Sequence, residues 1–527
     1  VQRTLTHRAA TLLLSCLLSP LAIAAPLRID NTGEPETLDP QMATGLREFR
    51  IDRELYEPLI TYDAEGKLIP GLAQSWETSA DGRTWTFHLR DAKWSDGQPI
   101  TADDAVFALQ RALLPSTHSQ NAYLYYPIAN ARDVNTGKKA PDTLGVRALD
   151  AHTIEITLDA PLSYMTSVMA DIALAPLPKH AIKTLDNTHW VRQQPLVVSG
   201  PYQLDHWTPQ VEVVVKKNPA YYAADSVKID SAAFYPIENT ATALTRYRSG
   251  ALDVSYSQIP SAQYNWAREH LADALKTYPV LVHYVYLPNM REGQPLADHR
   301  VREAMNLAVQ RELITDKVIQ SSQRPSYAAV PSVVTQPHQA PHFDFQSWPY
   351  AQRLERAKAL MKEAGYSPEH PLDVELSINS VDDHRRIAVA LAAMWKPIGI
   401  APHFVTRDSS AHYSAIHHAQ FQLARYGFLG AMMTPAEELG MYVSDASNNY
   451  AGYQNPRYDQ KVAEGVHALT PEAAQRAFDD AQRMLLDDMA MIPILDQTQS
   501  LLVSSKVKGW QPNAVDVHPL RYLSVTP

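Results

Sequence analysis

One cysteine, Cys16, is all that 527 residues contain, so no disulfide closes within the chain and its fold is held by its core alone. Positive charge is in deficit. Lys and Arg total 47 against 57 Asp and Glu, a net charge of −10, which leaves no basic field for phosphate backbones or anionic lipid and excludes nucleic acid as an expected partner. Phenylalanine is sparse, 10 residues against 26 Tyr and 9 Trp, so the aromatic surfaces are mostly apolar bodies with a polar handle, as suits a cleft. Beyond the first 25 residues no apolar run approaches the ~18 residues a membrane span needs. Glycine, at 19 residues, is half as common as proline at 38. Prolines such as Pro325, Pro331, Pro337, Pro341 and Pro349 mark 323–349 as a rigid loop packed on the surface rather than a flexible linker.

What remains is an ordinary globular composition, 45% hydrophobic and 20% charged, in a chain long enough for roughly three units of about 150 residues. At the start, Arg3 and Arg8 precede a Leu- and Ala-rich run, and Ala22-Ile23-Ala24 provides small residues for cleavage. The segment 1–24 therefore reads as an export signal. Cys16 follows Leu13-Leu14-Ser15 like a loose lipoprotein site, but lipidation there would halve the apolar run and leave 17–25 as a greasy tether, so cleavage near Ala24 is the preferred reading.

Alternating apolar residues at Trp85, Phe87 and Leu89, at Ile154, Ile156 and Leu158, and at Leu372, Val374, Leu376 and Ile378 predict half-buried strands. Between them, 351–364 is predicted helical with Gly365 as its cap, and 382–396 helical up to Pro397. Strands and helices interspersed over the whole length predict mixed α/β lobes, without internal repeats.

Signatures of catalysis are missing. The chain has no G-x-S-x-G elbow, H-E-x-x-H site, EF-hand loop or phosphate-binding G-x-x-x-x-G-K-[ST]. His403, His412, His417 and His418 form the densest histidine group, but a helix over 410–420 spaces them wrongly for a shared metal, and a solvated helix face is the expected alternative. No catalytic residue, metal ligand or cofactor is assigned.

The most specific string runs Ala73-Gln-Ser-Trp76-Glu, Asp81-Gly-Arg-Thr-Trp85-Thr-Phe87-His-Leu89-Arg90, Ala92-Lys-Trp94-Ser-Asp96-Gly97 and Thr101-Ala-Asp103-Asp104. Locally it reads as a strand between two turn dipeptides, followed by a Thr101-capped helix that buries Val106, Phe107 and Leu109. As a string it resembles the signature of the extracellular solute-binding proteins of family 5, the oligopeptide- and murein peptide-binding components of ABC importers. Asp30-Asn31-Thr-Gly-Glu-Pro-Glu-Thr-Leu38-Asp39-Pro40, Arg246-Tyr247-Arg248-Ser249-Gly250-Ala-Leu-Asp253 and Ala359-Leu360-Met-Lys-Glu-Ala-Gly365-Tyr366 extend the resemblance, in family order, over nearly all of the chain after residue 24.

The resemblance implies a two-lobed clamp of the periplasmic binding protein type II, cluster C kind, with an extra domain inserted in lobe I. Lobe I would comprise 25–56, 182–282 and 499–527, the inserted domain 57–181, and lobe II 283–498. It further implies a monomer in the periplasm that captures a peptide or peptide-like solute by closing its lobes and presents it to the permease of an ABC importer.

In the family a peptide pairs with strand-like edges, and its charged ends need counter-charges. The resemblance assigns Tyr123 of the inserted domain to ligand contact, and Gly200 and Tyr202, in Val198-Ser-Gly200-Pro-Tyr202, to approach of the ligand backbone. His384 and Arg425 fall where relatives hold the ligand carboxylate. The match breaks at the ammonium end: relatives carry Gly-Trp-x-x-Asp, whereas here Gly427-Phe428-Leu429-Gly430-Ala431 lacks the acid. Thr44 replaces a second family acid, and Asp408-Ser409 a Glu-Trp pair. Phe428, Leu429, Met432 and Met433 would form an apolar wall for a ligand whose amino end is modified or hydrated, unless Glu437 or Glu438 replaces the acid. The rival readings are a secreted hydrolase acting on peptides or cell-wall fragments, and a receptor for an opine or metal chelate.

Overall fold

The computed structural model describes residues 25–335 and 338–526; the segment read as an export signal, with Cys16 and the cleavage expected near Ala24, lies outside them. Strands and helices are interspersed from Leu27 to Val525. The inserted segment shows how local chemistry builds them. Gly82 and Gly97 adopt φ of +70° and +88°, the left-handed turn geometry that a side chain would strain. Thr101 and Asp104 form a reciprocal capping box at the start of helix Ala102–Ala112, and that helix buries Phe107 and Leu109 while Val106 stays half-buried. The predicted helices appear as Tyr350–Glu363 and Asp382–Trp395.

One eleven-stranded sheet runs through the molecule. Its middle is a pair of long antiparallel strands, Leu275–Pro288 and Ile492–Val503. On one side lie Leu423–Leu429, Leu372–Asn379 and Ile400–Arg407; on the other lie Val254–Ser255, Leu27–Asp30, Ser231–Tyr235, Glu212–Lys217 and Tyr202–Thr208; the eleventh, Arg324–Pro325, pairs off this path with Ile492–Val503. A separate four-stranded sheet, Ala73–Thr78, Thr84–Leu89, Thr153–Thr157 and Val146–Asp150, belongs to the inserted segment.

Burial sorts into three main cores. One gathers Tyr284 to Leu495 and is the core of lobe II. A second takes Leu27, Ile51, Leu55, Tyr202, Val254, Leu501 and Leu520, drawing on both ends and the middle of the chain, and also takes Phe107 and Ile172. The third holds Leu59 to Leu174 and reaches across to Met432. The long strands contribute Tyr278 and Leu501 to the lobe I core and Tyr284 and Leu495 to the lobe II core. Their pairing slips between Pro279 and His283 and again between Tyr284 and Val285. An interrupted ladder is a weak point in an otherwise continuous sheet, and it lies between the two lobes. At the slip, His283 is buried between Glu438 (2.7 Å) and Ser326 (3.2 Å); burial opposes its charge, but the Glu438 carboxylate outweighs that and raises its pKa.

The described parts of the proline-rich loop are packed, as read from its composition; Pro337 lies outside the described residues. Tyr327, Ala329 and Val330 are buried, Phe343 stacks on Phe345, and the Arg311 guanidinium sits 4.5 Å from the Tyr327 ring centre.

Candidate functional site

A chamber of about 270 Å³ opens between helix Leu46–Leu55, the inserted segment, the stretch from Leu429 to Glu437 and the C-terminal residues Val515 to Pro519. Helix Leu46–Leu55 of lobe I lines it with Leu46, Phe49, Arg50, Arg53 and Glu54, the inserted segment with Tyr123 and Asp171, the lobe II segment with Leu429 to Met432 and Glu437, and the C-terminal stretch with Val515 to Pro519. Amphipathic patterning places that helix, because Ile51 and Leu55 are anchored in the lobe I core.

Beside the chamber runs strand Leu423–Leu429, paired along its whole length with Leu275–Pro288 on one edge. Its other edge pairs with Leu372–Asn379 only at Leu423 and Ala424. Backbone groups of successive residues point to opposite edges. The Gly430 N–H donates to the Leu281 carbonyl (2.7 Å), while the Arg425 carbonyl accepts from His412 Nε2 (2.8 Å) on the far edge. By that alternation Gly427 and Leu429 turn their N–H and C=O away from the long strand, into the cleft. This edge can accept a further strand.

Arg425 marks one end of this edge with positive charge. Arg425 is 8% exposed, its Nη1 donates to the Tyr413 hydroxyl (2.9 Å), its guanidinium lies 4.7 Å from the Tyr284 ring centre, and its Nε has no partner among the described residues. No described carboxylate lies within ion-pairing distance of it. His384 Nδ1 is 3.3 Å from the Tyr284 hydroxyl; burial first, then Arg425 and His412, push its pKa down to about 3, so at neutral pH the imidazole is uncharged.

Carboxylates gather at the opposite end. Glu437 Oε2 accepts from the N–H groups of Ala431 and Met432, each at 2.9 Å. Burial pushes its pKa up to about 7 against those two N–H groups, with Asp171 adding to the rise. Asp171, across the cleft, accepts from the Tyr125 hydroxyl (2.9 Å) and the Ala173 N–H (3.0 Å). Deeper in, Glu54 takes the Leu520 N–H on one oxygen (2.9 Å), its other oxygen has no partner among the described residues, and burial pushes its pKa to about 8.

The residues expected to hold ligand divide. Tyr123, 60% exposed, Thr44 and Ala431 line the chamber; Gly427 and Phe428 lie on the open strand. Arg425 and His384 stand together. Gly200 and Tyr202 are placed elsewhere, inside lobe I. Tyr202 is wholly buried, its hydroxyl donating to the Ile229 carbonyl (3.1 Å). The Gly200 N–H donates to the Leu55 carbonyl (2.8 Å), and a Cβ there would sit 2.5 Å from the Glu54 carbonyl oxygen. The Gly200-Pro-Tyr202 segment therefore packs behind the chamber's helix. His412 also departs from the solvated face expected of it, being fully buried against Arg425 and Ser377. Asp408 caps helix Ser409–His417, and Ser409 receives the Asn379 amide (3.2 Å). Of the two candidate replacement acids, Glu437 reaches the chamber and Glu438 is committed to His283. Asp171, Glu54 and Asp516 were not anticipated: they come from separate stretches of chain and form no motif.

The family described as bacterial extracellular solute-binding proteins, family 5 Middle, matches residues 67–450. The periplasmic oligopeptide-binding protein OppA of Haemophilus influenzae is 35% identical over 92% of this chain and 90% of its own, and its structure in complex with RPPGFSPFR superposes with a TM-score of 0.76 over 95% of this chain and 98% of that one, at 33% identity. The unliganded open form of the murein tripeptide binding protein MppA superposes better, at 0.84, covering 95% and 97% with 31% identity. A probable deoxycholate-binding periplasmic protein of Escherichia coli, YgiS, is 32% identical over 93% and 92% of the two chains. Fold and site thus define a two-lobed solute-binding protein with an inserted domain. The chain belongs to family 5 of the bacterial extracellular solute-binding proteins.

Proposed function

We propose that the chain captures short peptides in the periplasm and delivers them to the permease of an ABC importer, without chemical change to the ligand. The observation that carries this reading is the charge layout along one open strand edge: Arg425 at one end, Glu437 and Asp171 at the other, and Gly427 and Leu429 presenting backbone groups between them. A peptide lying antiparallel to Leu423–Leu429 would meet the carboxylates with its ammonium and Arg425 with its carboxylate. Main-chain hydrogen bonds supply affinity that is tolerant of sequence, and charge-assisted bonds at the ends set length and direction. Closure of the lobes around the ligand adds contacts the open state lacks and so shifts the population toward the closed form, the form a permease can distinguish.

Native mass spectrometry of the protein as purified, followed by calorimetry with tri- to pentapeptides, tests the reading. Masses of short peptides in the cleft and binding without cleavage products are expected. Hydrolysis of the bound peptide would establish the enzyme instead. A second reading, an amphiphilic carboxylate such as a bile acid, draws on the apolar walls Leu46, Phe49 and Met432. Tight binding of deoxycholate with no binding of peptides would favour it.

A further inference from the structure

Helix Leu46–Leu55 turns Leu46, Phe49, Arg50 and Arg53 toward the chamber, a spacing of three and four residues that keeps them on one face. Its first turn there is apolar, and its later turns carry two half-buried guanidiniums. Like charges three residues apart repel, and neither finds a counter-ion. Arg50 donates to Asn31 Oδ1 (3.1 Å) and stacks 3.9 Å from the Tyr256 ring centre, and Arg53 donates to the Ala170 carbonyl (3.3 Å). No described carboxylate lies within ion-pairing distance of either; Asp516 feels the charge of Arg50 across a longer gap, but is itself paired with His518 at 3.2 Å. A guanidinium has five N–H donors in one plane, so a stacked face leaves its edges free for a planar acceptor.

The acids around the pair do not neutralise it. Glu54, 3% exposed, keeps its proton at neutral pH, because burial outweighs the Leu520 N–H and the Arg521 charge and pushes its pKa up to about 8. Asp52, fully buried, is likewise pushed well above the ordinary carboxylate range. Asp171 is engaged by the Tyr125 hydroxyl and the Ala173 N–H, and Glu437 by the Ala431 and Met432 N–H groups. A protonated Glu54 is a donor. The Leu520 N–H occupies one of its oxygens, and the other, without a partner among the described residues, can carry the proton toward an acceptor. Two guanidiniums and a carboxylic O–H thus line one chamber, and what they lack is an acceptor bearing negative charge. The chamber's 270 Å³ would hold about nine waters at about 30 Å³ each, room enough for a side chain. It adjoins Leu429 to Met432, where the open strand edge ends away from Arg425, so the side chain that enters belongs to the peptide's first residue.

We infer that the chamber seats a carboxylate of the ligand, the side-chain acid of a glutamate at the peptide's first residue, held by Arg50 and Arg53 and accepting a hydrogen bond from Glu54. This rests on the peptide reading above and adds a preference in sequence to it.

Calorimetry on the full chain with Glu-Ala-Ala, Gln-Ala-Ala and Lys-Ala-Ala tests it. Glu-Ala-Ala is expected to bind about tenfold tighter than its isosteric amide, with Lys-Ala-Ala the weakest. The chain's net charge of −10 opposes an acidic ligand at long range, so a preference for glutamate reports the chamber itself. Arg50→Met and Arg53→Met should each lower the Glu-to-Gln affinity ratio to about threefold, and the double variant to about one; the ratio cancels any loss common to both peptides. Glu54→Leu, which removes the donor, should lower the ratio more than Glu54→Gln, which keeps one. Equal affinities of the native protein for Glu-Ala-Ala and Gln-Ala-Ala, or tightest binding of Lys-Ala-Ala, overturn the inference and leave the peptide reading standing. Binding of deoxycholate with no binding of any of the three peptides removes both.

Discussion

A guanidinium withdrawn from water loses several kcal/mol of hydration, and Arg425 recovers only part of this from the Tyr284 ring and the Tyr413 hydroxyl. A ligand carboxylate would complete the set. Arg425→Met is therefore expected to weaken tripeptides with a free carboxylate by about 1.5–3 kcal/mol, and their amidated counterparts much less, as read by calorimetry. Glu54 gives a pH test of the unliganded protein. Its folded pKa, pushed by burial to about 8, exceeds the ordinary 4.5, so the native state is favoured below the ordinary value and loses stability as pH rises from about 4.5 to 8, by up to about 1.4 kcal/mol per unit. In Glu54→Gln this part of the slope should vanish from urea melts. Asp39 provides the opposite case. It pairs with Arg111 at 2.6 Å, both side chains fully buried, and receives the Trp190 indole N–H; Asp39→Ala strands the cation and should cost about 3–5 kcal/mol. Arg425 and His384 were legible because the motifs around them resemble a known family. Glu437 was legible only as a possibility, since whether a loop returns a side chain to the position of a missing one depends on its backbone path. Asp171 and Glu54 left no trace, being joined to Glu437 by tertiary packing alone.

Among elements, helix Leu46–Leu55 shows what patterning does and does not reveal. Its apolar anchors and Gly200 behind it fix its position, yet the role of Gly200 as a packing residue is set by the proximity of the Glu54 and Leu55 carbonyls, which no string records. Gly200→Ala should push the helix end toward the chamber, destabilise the fold by about 1–3 kcal/mol and weaken ligand binding, measurable by thermal melts and titration together. The strands predicted at Thr84–Leu89, Thr153–Thr157 and Leu372–Asn379 and the helices ending near Gly365 and Pro397 were readable because period, caps and turn residues agree. The open edge at Gly427 was not, since which strand stops pairing beyond Ala424 is a property of the sheet.

At the scale of the whole molecule, the better superposition on an unliganded open relative than on a peptide complex, 0.84 against 0.76, agrees with a chamber not yet sealed. Small-angle scattering should show the radius of gyration fall on adding a binding peptide. Affinity for free-amine peptides should rise from pH 6 to about 7 as Glu437, held near 7, ionises, and fall again above about 8 as the peptide's own α-ammonium loses its proton; the groups bearing on Glu437 are Asp171 and Glu438, with Tyr62, Tyr123 and Tyr164 feeling its charge. Proton release on binding, measured in buffers of different ionisation heat, checks the sign.

The shared sheet also constrains the order in which the molecule can be made. Leu27–Asp30 is stitched beside Val254–Ser255, whose other neighbour is Ile492–Val503, so the earliest strand waits on almost the last stretch to be synthesised. Neither half can finish while the tail is still emerging. A chain cut short before Ile492 would leave Leu275–Pro288 with a long bare edge and Val254–Ser255 with a short one, and is expected to be cleared by proteases as a whole rather than to persist as one working half.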